Sequence, residues 1–198
     1  MTKRLDPGEL LAHYIEHMSV SAEAALDVLR EAKVPLDPGL SASQIGILED
    51  RFSFRFGPDH AGLLSLAVPR GPGWVDWLGD RTEIDARFSA PVDGVLFDVR
   101  HNVFWPEEWG DRPSDVFTAL REAREHLADT PKLVPLYAHR FLPAPSGSPV
   151  LSVHQTDVIH YGSDLLAYLQ KEFLGIPDEQ QSEHHVEFWS DLADGRWL

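Results

Sequence analysis

Leu133-Val134-Pro135-Leu136-Tyr137-Ala138-His139-Arg140-Phe141-Leu142, then Pro149-Val150-Leu151-Ser152-Val153-His154, then Val158-Ile159-His160-Tyr161 decide the fold. These runs are rich in Val, Leu and aromatic residues, and Pro143–Ser148 and Gln155–Asp157 punctuate them with turn formers. Short strands joined by short turns predict an antiparallel meander. Before Pro131 and after Tyr161 the apolar period is helical. Ser114–Ala128 sets Val116, Phe117, Leu120, Ala123 and Leu127 at helical spacing, and Asp164–Leu174 is closed by Gly175 and Pro177. Segregated helices and strands give an α+β fold with helices packed on a central antiparallel sheet.

Upstream, the helix grammar is explicit. Leu5-Asp6-Pro7-Gly8-Glu9-Leu10 offers an N-cap, a proline for the first turn and a hydrophobic staple. Ala22–Lys33 follows, until Pro35, Pro38 and Gly39 break the pattern. Ser41 and Gln44 form a capping box before Ile45, Leu48 and Phe52, and Gly57-Pro58 opens a helix carrying Leu63, Leu64 and Leu66. Pro91 is expected to start a shorter helical piece through Val95, Leu96 and Val99. The chain thus reads as a single domain over residues 1–198. Residues 1–35 are a helical extension, 36–175 the core, and 176–198 an acidic helical tail around Val186, Trp189 and Leu192.

The charge balance narrows the function. Seventeen Lys and Arg face 32 Asp and Glu, a formal net charge of −15. Such a surface repels nucleic-acid phosphates and anionic lipids and attracts basic partners. Residues 151–198 hold nine acids against two bases, so this stretch alone carries −7. No window is long and apolar enough for a membrane span, and the N-terminus lacks the apolar run of a secretory signal. With no cysteine, disulfides and thiolate metal sites are excluded, and the expected location is cytoplasmic.

His139, His154, Asp157 and His160 fall in the strand region, where an Asp–His set would serve acid–base chemistry or hold a metal. The competing reading is a turn-forming aspartate flanked by half-buried histidines. His13 and His17 have i,i+4 spacing but lack the accompanying Glu and a third ligand, and the side chains of His184-His185 diverge. No nucleophile elbow, phosphate loop or dinucleotide motif occurs. The adjacent pair Glu107-Glu108 does not by itself frame a glycosidic bond. The expectation is therefore no catalytic residue, no metal and no cofactor. Phe104-Trp105-Pro106 and Trp109 form either an exposed recognition patch or a small aromatic core pinning an irregular segment.

Gly39-Leu40-Ser41-Ala42-Ser43-Gln44-Ile45, Leu48-Glu49, Phe52, Phe54-x-Phe56-x-Pro58-Asp59 and Leu63-Leu64 resemble the opening helices of the SUKH superfamily. The stretch Pro149 to Gly162, with Asp164-Leu165 and Tyr168-Leu169, resembles the closing strands and helix of its bacterial branch. Phe104 to Gly110 and Leu133 to Arg140 fit the same branch. Many members place Asn-Gly after the second helix, where this chain has Val68-Pro69-Arg70-Gly71. The resemblance implies an α+β fold, no catalytic residues, and a role as an immunity protein that binds and neutralises a toxin such as a nuclease. On that reading the partner is a basic protein. Its candidate contacts are the acids nearest the family core, Asp157, Asp164 and Glu172, together with Glu107 and Glu108, with Trp109 as an apolar anchor. Two alternatives stand beside it: a His/Asp metal-dependent enzyme, and a regulatory scaffold without a toxin partner.

Overall fold

The computed structural model describes residues 21–145 and 147–197. The helix expected from Leu5-Asp6-Pro7 and the pair His13 and His17 lie outside the described residues. Helix α1 covers 21–31 and buries Ala25, Leu26, Val28 and Leu29. A short antiparallel pair, β1 (Leu36–Pro38) with β2 (Ala67–Pro69), brackets α2 (Ala42–Phe52) and α3 (Pro58–Leu66). The Ser41/Gln44 capping box is present, and Pro58 occupies the first turn of α3 as read from sequence. No strand signal marks the β1–β2 pair in the sequence. Its prolines looked like breakers, although edge positions tolerate them.

Helix α4 (Arg81–His101) corrects the sequence reading, because it runs unbroken through Pro91. Asp80 caps it by accepting from Thr82 N–H at 2.6 Å. Pro91 removes one backbone bond at a cost of about 3 kcal/mol. Ile84, Phe88, Val95 and Val99 are buried along the same helix, each contributing roughly 1.5–3 kcal/mol. Burial wins, and the helix continues. A 3-10 turn (Glu107–Trp109) and α5 (Val116–Ala128, capped by Asp115) follow.

The sheet is a four-stranded antiparallel meander in the order β3 (Leu133–Tyr137), β4 (Arg140–Pro143), β5 (Val150–His154), β6 (Asp157–Gly162). Here too a reading is corrected. Leu133–Leu142 is a hairpin rather than one strand, turned at Ala138-His139 with Ala138 at φ 48°. Helices cover both sheet faces. Leu133, Phe141, Leu151, Val153 and Val158 pack with α4, α5 and the C-terminal segment, whereas Leu136, Leu142 and Val150 pack with α1 and α6 (Leu165–Leu169). Asp164 caps α6, which ends in a π turn (Gln170–Leu174).

The acidic tail packs on this core. Residues 176–188 are largely irregular, and only α7 (Trp189–Ala193) is helical. Val186, Phe188, Trp189 and Leu192 are buried on the sheet, and the Trp189 indole donates to the Pro131 carbonyl at 2.8 Å.

One buried group makes stability pH-dependent. His60 on α3 is 2% exposed, its ring edge-on to Phe56 and Trp77. Burial pulls its pKa from 6.5 down to about 3. Between those values the unfolded chain binds a proton that the folded chain does not. The stability is therefore present in full above pH 6.5 and is lost as pH falls toward 3. At pH 5 the loss is roughly 2 kcal/mol. A His60→Leu variant should flatten this acid limb, measured as urea midpoints at pH 7.5 and pH 5; a parallel shift in both proteins would refute the assignment.

Candidate functional site

The strand histidines do not all share one sheet face. His154 and Asp157 close the β5–β6 hairpin as directly opposed partners and share one sheet face. His160 pairs with Leu151 on the other face, and its Nε2 lies 3.4 Å from Asp194. His139 stands in the β3–β4 turn against Arg140. Partial burial first, then the charges of Arg140 and His154, hold its imidazole below the usual histidine range. Among the described residues no group of three or more His, Asp or Glu is arranged to hold a metal ion. His184 and His185 are exposed on the tail segment.

The acids singled out from sequence divide into two groups. Asp164 accepts from Ala167 N–H at 2.8 Å, so its carboxylate serves the helix start. Glu172 lies 3.7 Å from Arg140. That guanidinium is itself buried, donates to Ser152 Oγ at 3.1 Å and lies over the Tyr161 ring at 3.8 Å. Asp164 and Glu172 therefore hold the fold together. Asp157, Glu107 and Glu108 are exposed, the first at the hairpin tip and the other two on the 3-10 turn.

Trp109 is half-buried. It stacks with His126 at 5.0 Å and with Phe188 at 6.0 Å, and it meets Trp105 edge-on at 5.2 Å, which pins the 104–110 segment to the core. It also lines an open cleft of about 360 Å³ between the 3-10 turn, the end of α5 and the tail. Glu108, Asp129, Glu187 and Asp191 surround this cleft, with Phe188 and Trp197 as further aromatic lining. The Phe188 and Trp197 rings lie 5.4 Å apart. Sequence reasoning placed Glu108 and Trp109 at a partner site and missed Asp129, Glu187, Asp191 and Trp197 as their neighbours. The acidic tail composition was the one available signal.

Comparison of the chain with protein families, with curated proteins and with solved structures finds no match. No described helix is long and apolar enough to cross a membrane.

Proposed function

We propose that this chain is a non-catalytic protein-binding module that recognises a basic partner through its acidic C-terminal third and the cleft beside Trp109. The observation that carries this reading is the grouping of four carboxylates, Glu108, Asp129, Glu187 and Asp191, around an aromatic-lined depression on a chain of net charge −15. A negative field of this kind speeds encounter with a cationic surface, and an aromatic platform supplies the apolar contact that long-range attraction lacks. The resemblance to the bacterial SUKH branch supports a finer version: an immunity protein that occupies the phosphate-binding face of a toxin such as a nuclease.

The test begins with affinity capture of the partner from the source cells and titration of the purified pair. Raising the salt from about 0.05 M to about 0.5 M should weaken binding by tenfold or more, mostly through a slower association rate. An affinity unchanged over that range would overturn the electrostatic mechanism.

A further inference from the structure

The Trp109 cleft already holds a cation, and that cation belongs to this chain. Arg196 reaches back from the turn after α7. Its Nη2 lies 3.0 Å from Glu108 Oε1 and its Nη1 lies 3.0 Å from Asp191 Oδ1. The guanidinium carbon lies 5.6 Å from the centre of the Trp197 ring. One planar fork thus bridges two carboxylates from separate parts of the chain and lies against an indole. A compact ammonium cannot make that combination of contacts from a single position. Arg196 remains solvent-exposed, with 55% of its side chain accessible, so little desolvation opposes its departure. Two of the four carboxylates lining the cleft, Glu108 and Asp191, hold this guanidinium, with His185 Nε2 also 3.6 Å from Asp191, and among the described residues neither Asp129 nor Glu187 has an ion pair.

From this geometry we infer that the cleft is a guanidinium-binding site for an arginine side chain of the protein partner, with Arg196 as a built-in placeholder that the partner's arginine displaces. The inference rests on the acidic-face reading above and adds to it the side-chain type and the location. Aromatic lining makes arginine the preferred cation over lysine. Self-occupancy lowers the apparent affinity by the fraction of time the cleft is filled and keeps an exposed negative pocket from taking up cations indiscriminately.

The experiment uses the full chain and two labelled probes of equal charge, hexa-arginine amide and hexa-lysine amide, in fluorescence anisotropy titrations at pH 7.5. Hexa-arginine should bind about fivefold more tightly. Arg196→Lys keeps the net charge but loses the fork, and should raise hexa-arginine affinity by about threefold or more. Arg196→Ala should raise it further than Arg30→Ala, which makes the same charge change on α1. The double variant Asp129→Asn/Glu187→Gln should weaken both peptides, and Trp197→Leu should erase the preference for arginine. Thermal unfolding of each variant confirms that the fold is kept. Equal, salt-sensitive binding of the two peptides, or no gain from Arg196→Lys, overturns the cleft assignment and leaves the acidic-face reading standing. No binding of either peptide at low salt overturns both.

Discussion

Trp189→Ala is expected to lower the unfolding free energy by about 4 kcal/mol, the range for deleting a buried tryptophan. Trp189 is 1% exposed, packs edge-on to Phe188 and sits in the cluster that covers Leu151, Val153 and Val158. Its indole N–H donates to Pro131 O across 58 residues of sequence, which ties the tail to the start of the sheet. Truncation removes the packing and that bond together. The variant should show a lower urea midpoint, and protease should cut more readily in the irregular segment 176–188. Trp189→Phe retains most of the packing and loses the hydrogen bond, so about 1–2 kcal/mol is expected. A Trp189→Ala loss below about 1 kcal/mol would mean that the tail is an accessory to the core rather than part of it.

Asp98→Ala should cost about 3 kcal/mol. This carboxylate is 3% exposed on α4. Its Oδ2 accepts from Thr156 N–H at 2.9 Å and Thr156 Oγ1 at 2.7 Å, while Oδ1 accepts from Asn102 Nδ2 at 2.5 Å. Burying a lone carboxylate is unfavourable, and three hydrogen bonds offset that penalty. With Asp98 removed, the N–H and hydroxyl of the buried Thr156 lose their acceptor, each at roughly 1–3 kcal/mol. The fit at this point is close. A side chain on Gly94, one turn earlier, would meet the Gln155 backbone at 2.9 Å, so helix and hairpin tip touch main chain to main chain. Asp98→Asn preserves shape and part of the acceptor set, and should lose about half as much. Equilibrium urea unfolding of both variants checks the order; equal stabilities for Asp98→Ala and the parent would show that the hairpin tip is held by packing alone.

Local chemistry was legible in the sequence, and distant pairing was not. The Ser41–Gln44 box, Pro58 at a helix start and the Gln155 turn each involve neighbours a few residues apart, where side chain and backbone settle the matter together. Pro91 misled because its local penalty is visible in the sequence and the buried stripe that outweighs it is a property of the assembled fold. The Ala138-His139 turn carries none of the usual turn formers, so the hairpin read as one strand. Glu172 looked like surface charge because its partner Arg140 is 32 positions away on another element. The cleft could not be seen for the same reason. Its walls come from residues 108–109, 126–130 and 187–197, and only the sheet and α5 bring them together.

The order of synthesis gives the tail a second consequence. Strands β5 and β6 leave the ribosome some distance ahead of Val186, Phe188, Trp189 and Leu192, the residues that shield Leu151, Val153 and Val158. A nascent chain therefore passes through an interval in which a finished meander displays part of a greasy face to solvent. Pairings across long stretches of sequence close slowly, and this interval is where self-association or chaperone capture would occur. The acids interspersed in that segment, Asp178, Glu179, Glu183 and Glu187, keep it hydrated until it docks.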